Sequence, residues 1–480
     1  MAGWASLKEL VREEFAQSLQ EGKDRGAVEA IRVRQESAGE DETELAALHA
    51  GLLALPVRKD FPFQEPGDLA GIRALRPNAP RGSRKLAPES GFDEGTLADK
   101  LHGAWLGRCA GCALGKPVER LMSASGGRLS WERQKNYLTA ISPDEWPLRD
   151  YFPQHSPATD VAPDDHVACP LSTRERIAFM ESDDDIRYTV LGQIIMAKHG
   201  ADFCTSHVAH TWFEYLGYSQ VCTAETQAYR NLVIRYDHFR HEIPDVKTAR
   251  ELDMKTDWEW VAHHLNPYRE FIGAQIRVDS YGYAAPGHPE LAAEFAWRDA
   301  RMTHVKNGIY GAMFCAAMIA AAFATDDVRE IIEAGLAEIP RTSRLHDDIR
   351  RVMGICEKHG NVFDRFEEVL REVHAGLGHY HAVHTNNNAA LCVVALLLSG
   401  GDFHRGITLA VMGGWDTDCN GATVGSIVGA IAGAQRVPSH WTNRLNDTLN
   451  SWIVEYHPVT IGECARRSME IVRKPGIPKQ

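Results

Sequence analysis

Apolar positions recur every three to four residues along most of the chain beyond Thr96. That period predicts helices over 97–114, 184–199, 203–216, 289–300, 303–324, 326–338, 343–358, 363–374, 386–398, 402–412 and 420–434. Alternating β-branched runs bounded by turns are scarce, so the expected fold class is all-α, a multi-helix globule. Ser182 precedes a helix with an acidic first turn, and Gly200 follows Lys198-His199 at its end, which are start and stop signals. Within the charged stretch 7–55, Leu7, Leu10, Val11, Phe15 and Leu19 share one helical face. From Leu55 to Gly95 the chain thickens in Pro, Gly and Arg, the composition of a connector laid over a surface. The expected organisation is therefore an N-terminal helical extension with its connector over 1–95 and a main domain over 96–480.

One predicted helix constrains its neighbours. In GATVGSIVGAIAGA, glycines 421, 425, 429 and 433 fall four apart on a single stripe. Each costs about 1 kcal/mol relative to alanine inside a helix, so close backbone packing has to offset four of them. The helix belongs at the centre of the bundle, and it is too short for a membrane GxxxG reading.

The 52 Lys+Arg against 65 Asp+Glu leave a net charge of −13. An acidic surface of this kind argues against direct nucleic-acid binding. The first fifteen residues lack the apolar segment of a secretory signal. The longest apolar run, 308–324, is short and Ala/Gly-rich, a buried helix rather than a membrane span. The ten cysteines are scattered, and the Cys109/Cys112 pair has no second pair to make a zinc or redox motif. The expected location is the cytoplasm.

Two acidic clusters open helices: Asp183-Asp184-Asp185 in ESDDDIRYT, and Asp416 with Asp418 in GGWDTDCNGATVG. The helix dipole offsets only about 0.3–1 kcal/mol per acid. Both clusters lead straight into apolar helices that draw them inward. Buried carboxylates this close need protons, Lys/Arg or a hard cation, and an oxygen-rich donor set suits Mg²⁺, Mn²⁺ or Ca²⁺. An exposed acidic cap is the plainer explanation of DDD alone; it fits DTD poorly, because GGW precedes it and a glycine helix follows.

With these motifs in hand, the chain resembles the ADP-ribosylglycohydrolases, the dinitrogenase-reductase-activating glycohydrolase type. GAWLGRCAGCALGKPVE (103–119), DDDIRYT (183–189), RMTHVKNGIYGA (301–312) and GWDTDCNGATVGSIVGAIAGA (414–434) follow the family's motifs in order, over about residues 97–435. The resemblance implies an all-α orthogonal bundle with one or two Mg²⁺ ions (Mn²⁺ as an alternative) in a central cleft, and hydrolysis of the bond joining ADP-ribose to an acceptor. It implies Asp184, Asp185, Asp416 and Asp418 as metal ligands, with Asp183 and Cys419 as further metal residues at the motif positions, and Glu119 on a loop over the site. Three positions depart from the family: Cys112 replaces an Asp, Ile186 a Thr, and Cys419 the second Thr of the C-terminal motif. A thiol is a poor Mg²⁺ ligand, which puts the second metal position in question, with Asp183 as a compensating oxygen.

The expected catalytic residues are Asp418, Glu119 and Asp185, with Asp418 and Glu119 as alternative bases or proton shuttles. Expected substrate contacts are His304, Trp415, Asn387 of the Asn386-Asn387-Asn388 run, and Tyr281 in DSYGYAAPG, read as a loop. The plainer alternatives are a structural histidine, an asparagine N-cap and an ordinary turn. The partner is an ADP-ribosylated acceptor or small ribosyl-containing substrate, with no membrane. A hydrolase of another ribosyl N-glycoside and a non-catalytic, crystallin-like member are the competing readings. The metal reading requires residues 183–185 and 416–418 to meet, with no lysine or arginine filling the gap between them.

Overall fold

The computed structural model describes residues 5–474 and 476, apart from 79–81, 83–84, 89–90 and 244. Helices run from end to end, and among the described residues the only strands are Thr448–Leu449 and Val459–Thr460, paired antiparallel. The first three helices, α1 (Leu7–Gln20), α2 (Arg25–Ala38) and α3 (Glu42–Ala54), close over an apolar cluster of their own built on Val11, Phe15, Val28, Leu45, Leu48 and Leu52. Each starts on a side-chain cap, from Ser6, Asp24 and Asp41 in turn. Between α3 and the body the chain lies against later segments: the Gln64 amide donates to the Thr342 carbonyl, and the Leu86 amide to that of Gly287.

The centre of the body is an antiparallel pair, α4 (Glu94–Gly115) and a late helix, Thr417–Ala432. Gly103, Gly107 and Gly111 face Gly429, Gly425 and Gly421 so closely that a methyl group on any of them would strike the facing backbone carbonyl. The glycine stripe thus meets a second one. Gly433 is the exception: the helix ends at Ala432, and Gly433 caps it at φ 71° against Asp99.

Packed around this pair are α5 (Asp184–His199), α6 (Asp279–Ala284), α7 (Lys306–Ala322) and α8 (Thr385–Ser399), followed in the chain by the glycine helix itself, α9 (Thr417–Ala432), and α10 (Ile461–Val472). Helix α7 is the long apolar run, buried from Asn307 to Ala322. No helix among the described residues is long and apolar enough to cross a membrane. The ten cysteines are all free.

Two expectations need correction. DSYGYA is a helical turn rather than a loop, because its residues are buried on every side and leave no apolar period to read. The asparagine run does not supply its own N-cap: His384 does, its Nδ1 accepting from the Asn386 amide at 3.1 Å.

Candidate metal centre

Three helix ends meet at one point. Asp183 caps α5, accepting from the Asp185 amide at 3.2 Å, and Asp184 and Asp185 form its first turn. Asp416 and Asp418 stand at the start of α9. Beyond the end of α4, the turn Lys116–Leu121 brings in Glu119. The glycine contact fixes this arrangement, since Gly115 at the end of α4 touches Thr417 at the start of α9, and the Thr417 hydroxyl donates to the Gly115 carbonyl at 2.8 Å. Ligand atoms of Glu119, Asp416 and Asp418 lie within 4.8 Å of one another, as do those of Asp185, Asp418 and Cys419, those of Cys112, Asp183 and Asp418, and those of Asp183, Asp184 and Asp185. The two distant acidic stretches do converge.

Cations enter the cluster at its edges. Lys116 Nζ pairs with Asp183 Oδ2 at 2.9 Å, and Arg108 reaches Asp279 at 2.9 Å and Asp185 Oδ1 at 3.4 Å, all with buried side chains. Asp183 therefore already has its counter-charge, and Lys116 outweighs its burial to hold the carboxyl at about 2. The gap is not filled: Asp416 Oδ1 and Asp418 Oδ1 are buried with no hydrogen-bond partner. The remaining acids repel one another. Burial, then Asp183, pushes Asp184 up to about 8 and Asp418 to about 7. The Asp418 charge, with burial, raises Glu119 well above the carboxylate range, and burial with Asp418 does the same to Asp185 and Asp416.

A charge count makes the strain concrete. Glu119, Asp183, Asp184, Asp185, Asp279, Asp416 and Asp418 face Lys116, Arg108 and the Arg187 guanidinium that acts on Asp183 and Asp184. Fully ionised, seven carboxylates would outnumber three cations, which is why most of these acids are pushed toward their protonated forms in the absence of another cation. The donors are mainly carboxylate oxygens, the set that hard cations take.

The other expected residues are placed differently. Tyr281 has no exposed surface; its ring stacks on Phe203 and its hydroxyl donates to Asp299 at 2.7 Å, so it contacts no substrate. His304 is equally buried, its Nδ1 2.7 Å from the Thr303 hydroxyl, and it borders a cavity of about 570 Å³ beneath the connector that none of the acids lines. Trp415 holds a left-handed backbone at φ 54° and stacks its ring on His374 at 3.9 Å, with 5% of its surface exposed. Asn387 spends its amide on the His381 carbonyl at 3.1 Å. The asparagine that serves the acids is Asn388, whose Oδ1 accepts from the Asp416 amide at 3.1 Å and from Asn420 Nδ2 at 2.9 Å.

Sequence reading missed Arg108, Lys116 and Asn388 as partners of the acids, and weighed Cys112 only as half of a CxxC pair and as a substitution, not as a neighbour of Asp183 and Asp418. A charged residue inside GAWLGRCAGCALGK was the available signal, because a buried arginine demands carboxylates.

A model of the family described as ADP-ribosylglycohydrolase matches residues 93–469. A solved structure titled ADP-ribosylglycohydrolase-related protein complex aligns at TM-score 0.45 and 17% identity, covering 78% of this chain and 98% of that one. No curated protein matches. The family model spans both acidic stretches, the glycine pair that brings them together, and Glu119, and on that match the chain belongs to the ADP-ribosylglycohydrolase family, whose members are glycohydrolases of ADP-ribose-type linkages.

Proposed function

We propose that this chain is a metal-dependent hydrolase that removes ADP-ribose from an acceptor, with Glu119, Asp184, Asp185, Asp416 and Asp418 holding one or two divalent ions, Mg²⁺ or Mn²⁺. The observation that carries the reading is the uncompensated charge at the meeting point of α4, α5 and α9, together with the orphaned Oδ1 atoms of Asp416 and Asp418. Bound there, divalent ions supply a site for a ribose diol and a water of lowered pKa.

The chain's own residues divide the remaining work. Asp418 belongs to three of the four ligand groups, so it stands at the centre of the cluster. Cleavage at the ribose C1 passes through an oxocarbenium-like state, and a carboxylate held in a buried site stabilises that positive charge. Glu119 is only partly buried and sits in the short 3-10 helix Lys116–Leu121 that follows α4. Its access to solvent suits it to carry the proton between water and the leaving group.

The test is hydrolysis of ADP-ribosylated peptides by the full chain, chelated and then reloaded with Mg²⁺ or Mn²⁺. Activity should vanish on chelation, return with either ion, and fall at least about 10²-fold in Asp418→Ala, the scale on which one preorganised electrostatic group acts. Unchanged turnover in Asp418→Ala ends the reading. Cleavage of nucleosides in place of ADP-ribosyl peptides would move the leaving group and keep the chemistry.

A further inference from the structure

The donor groups of the acid cluster differ in chemistry. Glu119, Asp416 and Asp418 offer oxygen alone. The group of Asp183, Cys112 and Asp418 is already served by the Lys116 ammonium on Asp183. The third group, Asp185, Asp418 and Cys419, places sulfur among oxygens, with the Arg108 guanidinium 3.4 Å from the Asp185 oxygen that faces away from the thiol. Its geometry is specific: Asp185 turns Oδ1 toward Arg108 and Oδ2 toward the Cys419 thiol, which donates to it at 3.2 Å. Cys419 is 5% exposed, and Asp418, 3% exposed, brings its unpartnered Oδ1 into the same group. The Cys419 thiol proton therefore lies on one carboxylate, Asp185, with a second, Asp418, in the same group.

Resting on the metal-dependent reading above, we propose that Cys419 makes this a mixed site, with a hard ion on the Glu119/Asp416/Asp418 side and a first-row transition ion in preference to Mg²⁺ on the Asp185/Asp418/Cys419 side. Oxygen donors alone suit Mg²⁺, whereas a thiolate selects ions further along the Mn²⁺ to Zn²⁺ series. The balance is simple: the ion forms a bond to sulfur, the S–H bond breaks, and one proton leaves to solvent for each ion bound. No electron moves.

The experiment uses Co²⁺ as a spectroscopic probe on the full-length chain after chelator dialysis. Bound cobalt is counted by elemental analysis, and the near-ultraviolet thiolate-to-cobalt charge-transfer absorption is followed during titration. The expected result is a charge-transfer band that saturates as cobalt fills the site. In Cys419→Thr and the closer-sized Cys419→Ser, cobalt still binds, the band disappears, and Mg²⁺ competes about tenfold more effectively, the lower end of what changing a site's ligand environment costs. Stoichiometric cobalt without the band in the unsubstituted protein, or a band that survives in both variants, overturns the sulfur assignment and leaves the metal-dependent hydrolase standing. No bound cobalt at all overturns both. Should neither variant fold, the band of the unsubstituted chain and its resistance to Mg²⁺ still decide.

Discussion

Asn388 puts two donors on one oxygen: its Oδ1 accepts the Asp416 amide and the Asn420 side chain, so one residue of α8 sets the start of α9. Neither contact touches a substrate, which makes Asn388 a positioning residue. Truncation to alanine leaves a buried backbone N–H and a buried amide without an acceptor, a loss of about 1–3 kcal/mol. Because such outer partners orient metal ligands, Asn388→Ala should weaken metal affinity about 10–100-fold. Metal titration by calorimetry, set beside the melting temperature, separates the two effects; full metal affinity at a lowered melting temperature would make the role purely structural. At this scale the convergence of the five aspartates was legible, because acids that lead directly into apolar helices contradict their surroundings. Asn387 and Asn388 were not distinguishable, because only the three-dimensional rotation of α8 decides which of two neighbours faces Asp416. His304 and Tyr281 failed for a related reason. Polar tips on buried rings were read as substrate contacts, yet Thr303 and Asp299 were close enough to satisfy them internally.

Helices carry the next level of the argument. The pairing of α4 with α9 was half visible: four glycines at a spacing of four demand a backbone partner, and the partner's own stripe at 103, 107 and 111 lay in the first motif. Because that contact aims Gly115 at Thr417, it also sets the distance between Glu119 and Asp418. Gly425→Ala drives a methyl group into the Gly107 carbonyl and should cost about 1–3 kcal/mol through overpacking, with loss of activity as the α9 start shifts. Gly354, inside the helix Arg344–Lys358, has nothing within 4 Å of an added Cβ. Gly354→Ala should therefore stabilise the protein by about 0.4–1 kcal/mol with activity intact. Denaturant unfolding of both variants checks the opposite signs, and equal signs would refute the packing argument. Pro289–Ala300, with a clean apolar stripe, and α5, bracketed by its Ser182 and Gly200 signals, were predicted to the residue. Ser130–Thr139 escaped because it buries polar side chains in place of apolar ones, Arg133 on Asp165 at 2.8 Å and Gln134 on the Val411 carbonyl at 3.0 Å. The amphipathic α10 was readable from its Ile461, Cys464, Ala465 and Met469 spacing and was simply not read.

Across the whole molecule two buried charge networks invite comparison. Where the N-terminal extension docks, Glu14, Glu21, Glu65 and Glu270 meet Lys23, Arg269, Lys306 and Arg344, four against four, and the network is neutral on its own side chains. The acid cluster has no such balance, so its stability must depend on what else is present. Without metal, Asp418 and Asp184 titrate at about 7 and 8, above the 3.8 of a free aspartate, mainly because they are buried near Asp183. A carboxyl whose folded pKa is raised supports the fold below its unfolded value, and that support is lost as pH rises through the folded pKa. The metal-free protein should accordingly lose stability between about pH 4 and pH 8. Metal reverses the sign, since ions bind the deprotonated acids. At 100 times its Kd an ion binding only the folded state contributes about 2.7 kcal/mol, and at fixed ion concentration this gain grows with pH as the competing protons leave. Melting curves at pH 6 and pH 8, each with chelator and with Mn²⁺, provide the measurement. The expected pattern is a small gain at pH 6 and a larger one at pH 8. A gain that is absent, or equal at the two pH values, would mean that the acids keep their protons or find their counter-charge within the protein, and the cluster would then be structural.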